Sequence, residues 1–128
     1  MMDAEQISVV INYCSNDEKF IKTNITNCLK FSNNVIVVYC THLLNGNPEN
    51  TDKIKLLKNT FPEITLLEVK FDLSKDKKYH HNLFRWEGKN ASKNSYILFL
   101  DADEIFDPDR MVKYLITKDY VNYDVVCF

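Results

Sequence analysis

The sequence predicts an α/β fold in which a mostly parallel sheet is flanked by helices. Short, continuously apolar runs, "ISVVI", "VIVVYC", "ITLLEVKF" and "YILFL", alternate along the chain with stretches of helical period. Strands covered on both faces read in this way, and helix-length connections between them imply parallel crossovers. The 128 residues, 45% hydrophobic and 27% charged, suit one domain with a real core and exclude a disordered chain. Residues 1–128 are therefore read as a single domain.

Strand one runs from Ile7 to Ile11 and, being apolar almost throughout, belongs in the centre of the sheet. Ser15 and Glu18 have the spacing of a capping box. Phe20, Ile21, Ile25, Cys28 and Leu29 then share one helical face. Val35 to Cys40 form strand two. The following "THLLNGNPEN" holds one of the two glycines and a proline, which marks a long loop at a strand end, where function often resides. Ile54, Leu57 and Phe61 predict a second helix closed by Pro62. Strand three spans Ile64 to Phe71, with Leu67, Val69 and Phe71 alternating.

Tyr79 to Ser92 is weakly helical despite Gly88, with Phe84 and Trp86 as packing residues, and it leads into strand four, "YILFL". Asp107 is an N-cap with Pro108 at the first helical position, and Met111, Val112, Leu115 and Ile116 supply an apolar stripe ending near Asp119. A fifth strand opens at "YDVVCF", and the chain stops inside it. The domain thus reads as truncated at its fifth strand, with an unpaired sheet edge that offers a route to a homodimer.

Sixteen Lys and Arg against eighteen Asp and Glu give a net charge of -2, so no basic field draws a nucleic acid. The apolar runs are far shorter than the roughly 20 residues of a transmembrane helix, and the acidic "MMDAEQ" is unlike a signal peptide. The expected location is cytoplasmic. Cys14, Cys28, Cys40 and Cys127 contain no C-x-x-C pair and are read as free thiols, although Cys14 and Cys40 end neighbouring strands.

The chemistry concentrates in "SYILFLDADEIFDPDR", where a buried strand runs into Asp101, Asp103, Glu104 and Asp107. Open α/β sheets bind ligands beyond the carboxyl ends of their strands, which is where Asp101 and Asp103 fall. Two neighbouring carboxylates repel unless something positive lies between them, and hard oxygen pairs suit Mg²⁺ or Mn²⁺. An ion held by so few protein ligands keeps positions open for phosphate oxygens, and it acts as a Lewis acid on a departing phosphate.

"ISVVINYCSNDEKFI", "NVIVVYC", "FRWEGKNASKNSYILFLDADE" and "PDRM" together resemble the donor half of family-2-type glycosyltransferases with the Rossmann-like GT-A fold. The likeness is closest at "LFLDADE", which is similar to that family's D-x-D motif. The resemblance implies that Asp103 coordinates the ion bridging the diphosphate of a nucleoside-diphosphate sugar, and that Asp101 contacts the ribose or the ion. It further implies that Arg85 meets donor phosphate or base, and that Asn12 and Tyr13 open onto the nucleotide. The implied reaction is inverting transfer to a glycan, lipid or protein acceptor, with the catalytic base and acceptor site in sequence beyond residue 128. In two places the sequence departs from the family: "NYCSN" replaces the usual Pro-Thr-Tyr-Asn, and Tyr39 and Cys40 stand where aspartates normally close strand two. Tyr39 offers a ring to stack on a base, but without that carboxylate the base is not specified.

Other readings of the same residues stand beside this one. Asp is common in turns and near helix N-termini, so the pair also fits a solvated turn. A calcium loop is excluded by Phe106 at the glycine position and Val112 at the terminal glutamate position. A phosphotransferase with Asp101 as nucleophile would carry its motif at the start of the domain, whereas three strands precede it here. A degenerate nucleotide-fold module that only binds a partner is the non-enzymatic alternative. His80 and His81 are adjacent on a helix and point apart, which argues against their joint ligation of a metal.

Overall fold

The computed structural model describes residues 7–123, 125 and 126. Its strands are β1 (Ile7–Asn12), β2 (Asn34–Cys40), β3 (Thr65–Val69) and β4 (Tyr96–Asp101), all parallel in the order β3-β2-β1-β4. Between them lie α1 (Glu18–Leu29), α2 (Thr51–Lys55), α3 (Leu57–Thr60) and α4 (Lys77–Ala91), and α5 (Pro108–Thr117) follows β4. This is the predicted α/β architecture of Rossmann-like type, with β1 and β2 central and almost wholly buried.

Strand periodicity divides the core. The odd-numbered side chains Val9, Ile11, Val35 and Val37 pack with Ile21, Ile25 and Cys28 of α1, Ile54 of α2, Leu57 of α3 and Met111 and Leu115 of α5. The even-numbered Val10, Ile36, Val38 and Cys40 pack with Phe84 of α4 and with Val69, joined by Leu67 and Phe71. One helix therefore covers one face, and the others share the opposite face. The chain steps from β1 to β2 to β3 along the sheet and then returns through α4 to place β4 on the far side of β1. The direction of winding reverses between β1 and β4, and a crevice opens there beyond the strand ends.

The opposite, amino-terminal end is closed by polar side chains. Ser8 Oγ donates to Asn34 Oδ1 (2.6 Å), the Lys93 and Asn94 amides donate to Asn34 Oδ1 and Ser8 Oγ, and Ser32 Oγ donates to the Ile7 carbonyl (2.7 Å). These bonds satisfy groups that burial would otherwise leave costly.

Several elements differ from expectation. The Ser15/Glu18 capping box is not formed: Ser15–Asp17 make a 3-10 turn, Asp17 precedes α1 without a side-chain cap, and the Ser15 amide is taken by Glu49. The helix predicted around Ile54, Leu57 and Phe61 is split at Leu56 into two short pieces, and Leu56 is exposed. α5 begins as predicted, with Asp107 Oδ1 accepting from the Asp109 and Arg110 amides. Ile116 is exposed, because the stripe that meets the sheet is carried by Met111 and Leu115. Trp86 is likewise exposed rather than packed. Tyr123, Val125 and Val126 of the predicted fifth strand are not in a strand. Asp124, Cys127 and Phe128 lie outside the described residues. Among the described residues no helix is long and apolar enough to cross a membrane.

Gly88 explains how a weakly helical segment packs so closely. A Cβ at this position would collide with Val10 Cγ1 on β1. Gly88→Ala is expected to lower stability by about 2 kcal/mol in denaturant unfolding, since overpacking outweighs Ala's helix propensity. A stabilised variant would contradict the close approach of α4 to β1.

Candidate functional site

At the turn after β4, the Ala102 amide donates to the Asn12 carbonyl (3.0 Å), continuing the β1 ladder by one bond. Asn24 on α1, fully buried, donates from Nδ2 to the Ala102 carbonyl (2.8 Å). The Ala102 methyl lies in the core. With Ala102 fixed inward, Asp101 at the strand end and Asp103 in the turn face the cleft on either side of it. Glu104 closes the turn: its amide donates to the Asp101 carbonyl (2.9 Å), and its Oε1 accepts from the Asp101 amide (2.7 Å).

Asp101 and Asp103 line a cleft of about 380 Å³ at the carboxyl end of the sheet. Asn12, which is paired with Asp101 in strand register, lines it too, along with Tyr13, Cys14 and Asp17 from the β1–α1 turn. The loop after β2 supplies His42, Leu43, Leu44, Asn45 and Glu49. Cys40 and, from α4, His81 and Phe84 complete the wall. One side is thus acidic, and the other mixes apolar Leu43, Leu44, Cys40 and Phe84 with His42, Asn45, Glu49 and His81. No Lys or Arg is among the lining residues.

Glu49 staples the loop to the β1–α1 turn, its Oε2 accepting from the Ser15 amide (3.0 Å) and its Oε1 from the Asn50 amide (2.8 Å). The Lys53–Glu18 pair (2.8 Å) spans the same junction at the surface, where such pairs contribute little.

The charges converge on Asp17. Its carboxyl is held above the ordinary carboxylate range by burial first and then by the charges of Asp103 and Asp101, against a lowering contribution from the Cys14 thiol. Burial and the nearby Glu18 and Glu49 push the Tyr13 phenol up to about 12, so it remains a neutral hydroxyl. Burial also raises the Cys14 thiol, which disfavours a nucleophilic thiolate.

Of the residues singled out in the sequence, Asn12, Tyr13, Asp101 and Asp103 come together in this cleft, and Tyr39 and Arg85 do not. Tyr39 is buried in the core with the other odd-numbered residues of β2, and Glu68 hydrogen-bonds its side chain, so its ring does not reach the cleft. Arg85 is exposed on α4, one residue past Phe84, and it is not part of the lining. Asp17, Glu49, His81 and Phe84 join the site without having been marked in the sequence. Helical spacing was the available signal for Phe84, which shares with His80 and Gly88 the face of α4 turned to the sheet, whereas His81 is exposed at the rim of the cleft.

The donor set suits a hard divalent ion completed by ligand oxygens. Among the described residues, no three His, Cys, Asp or Glu side chains converge closely enough to hold an ion alone. Two outward carboxylates with Asp17 nearby leave the remaining positions to a ligand.

No protein-family model and no curated protein matches this chain. The resemblance at "LFLDADE" rests on these residues alone.

Because the folded-state pKa of Asp17 lies above its unfolded value, its ionisation opposes folding at neutral pH. That penalty disappears as pH falls through the folded value toward the ordinary one. Asp17→Asn should therefore be more stable than the parent at pH 7, with the difference vanishing near pH 4. Thermal unfolding across pH checks this. A less stable variant at pH 7 would mean that the Cys14 contact outweighs the repulsion.

Proposed function

We propose that the cleft binds a nucleoside-diphosphate sugar together with Mn²⁺ or Mg²⁺, and that the chain is the donor-binding part of a family-2-like glycosyltransferase. The observation that carries this reading is the position of Asp101 and Asp103, which project from the carboxyl end of β4 at the reversal of sheet winding into a cleft of ligand size.

Asp101 and Asp103 hold the ion, and Asp17 adds negative charge beside them. Bound there, the ion supplies Lewis-acid neutralisation of the departing diphosphate. The cleft offers no Lys or Arg for that task, so affinity for a diphosphate depends on the metal. Asn12 lines the cleft beside Asp101, and its Oδ1 is buried with no hydrogen-bond partner among the described residues. Leu43, Leu44 and Phe84 give an apolar wall for the flat base.

A second reading, a partner-binding module without nucleotide affinity, is favoured by one observation. β4 is one of the two edge strands among the described residues, and Phe99 on it is 41% exposed.

Calorimetric titration with UDP, GDP and TDP, with and without Mn²⁺, separates the two readings. The expected result is binding only with the ion, weakened at least about tenfold in Asp103→Ala. Metal-independent binding, or binding unchanged in the variant, would overturn the donor-site reading. Concentration-dependent self-association with no nucleotide binding would favour the second.

A further inference from the structure

His80, fully buried on α4, is held in one neutral tautomer by two backbone groups. Nδ1 lies 2.8 Å from the Asp76 carbonyl oxygen, which only accepts, so Nδ1 carries the hydrogen. Nε2 is then the acceptor for the Asp72 amide at 3.0 Å. The nearby carboxylates are engaged elsewhere: Asp72 Oδ1 accepts from the Ser74 amide and hydroxyl (2.9 and 2.6 Å), and Asp76 Oδ1 caps α4 through the Tyr79 amide. A proton arriving at Nε2 therefore meets an N–H and not a carboxylate.

The ring is also the base of a stack that reaches the cleft. Phe71 lies flat on His80, with centroids 4.2 Å apart and planes 7° apart, and His42 packs on Phe71 at 5.3 Å. The Phe71 amide donates to Thr41 Oγ1 (3.0 Å), which in turn meets His42 Nδ1 at 3.0 Å. Next to Asp72, the Leu73 side chain approaches Gly46, whose φ of +90° forms the tip of the loop after β2. The Asp72 amide thus anchors the backing of His42, Leu43 and Leu44, which form the cleft's loop wall.

We propose that His80 is a positioning residue for this wall and holds it only while Nε2 is unprotonated. Its consequence for nucleotide affinity rests on the donor-site reading above; the latch itself does not. On protonation, Nε2–H and the Asp72 N–H face each other across one hydrogen-bond distance. The amide withdraws, and the Phe71–Thr41–His42 contacts loosen. The charged or titratable groups around the ring are Asp72, Lys75 and Asp76 of the β3–α4 connection, Tyr79 and His81 of α4, and His42 beyond Phe71.

Side-chain ¹⁵N and backbone amide NMR of the ligand-free chain between about pH 8 and pH 5, where histidines change charge, tests the latch. The expected result is the Nδ1–H tautomer at high pH, with the amides of residues 71–74 and 41–44 moving together as His80 takes a proton. Asp72 amide exchange should accelerate roughly five- to tenfold, as for one lost net hydrogen bond, beyond the intrinsic pH dependence of exchange. In His80→Gln, the side-chain Oε1 can accept from Asp72 without titrating. These coupled shifts should disappear, while those belonging to His42 and His81 remain. An Nε2–H tautomer in the parent, a His80 that stays neutral down to pH 5, residues 41–44 that stay put while His80 is protonated, or the same coupled shifts in the variant would each overturn the proposal. If Mn²⁺-dependent UDP binding exists, its affinity should fall with that titration in the parent and not in the variant. Absence of nucleotide binding would count against the donor site alone, because the NMR shifts of the ligand-free chain decide the latch without it.

Discussion

The site depends on how the backbone of Ala102 is held. Its amide extends the β1 ladder to the Asn12 carbonyl, its carbonyl accepts from the buried Asn24 amide group, and its methyl occupies the core. A larger residue would not fit that buried position without displacing α1 or β1. With that residue fixed inward, Asp101 and Asp103 on either side of it line the cleft. Carboxylates gathered at a strand end cost stability through mutual repulsion, and this geometry prevents them from relieving it by turning away.

The two ends of the sheet are built differently. At the amino-terminal end Ser8, Ser32 and Asn34 satisfy one another and the neighbouring backbone, which is what stability asks of buried polar groups. An unpaired buried amide atom occurs at each end among the described residues, Asn94 Nδ2 at the one and Asn12 Oδ1 at the other, but only at the carboxyl end do the charges of Asp17, Asp101 and Asp103 add instead of cancelling. Like charges gather where a ligand would complete them. The opposite wall stands on a second support, the stack of His80, Phe71 and His42, so the cleft has one wall fixed by strands and one fixed by loops.

Most of the fold was legible because strands buried on both faces declare themselves. "ISVVI" and "VIVVYC" have no polar face to confuse with a helix, and their assigned positions in the sheet follow from that. The parity of β2 also contained the correction for Tyr39, which shares its phase with Val35 and Val37 and so belongs to the core. The phase of α4 likewise separates Phe84, turned inward against Cys40 and Val69, from Arg85. Asp17 and Glu49 were not legible. A carboxylate in a polar turn reads the same whether solvent or a cleft faces it, and only tertiary contact brings Glu49 across to the Ser15 amide. The capping-box pattern at Ser15 misled for the same reason, since a long-range acceptor displaced the local one.

The central claim is that Asp101 and Asp103 form a divalent-cation site in this cleft. Paramagnetic broadening of backbone amides by substoichiometric Mn²⁺ tests it most directly, because the effect falls steeply with distance from the ion and needs no nucleotide. Broadening centred on residues 101–103 and 12–17, and abolished by excess Mg²⁺, is the result this account requires. Broadening centred on the exposed Asp107 and Asp109, or no localised broadening at millimolar ion, would contradict it.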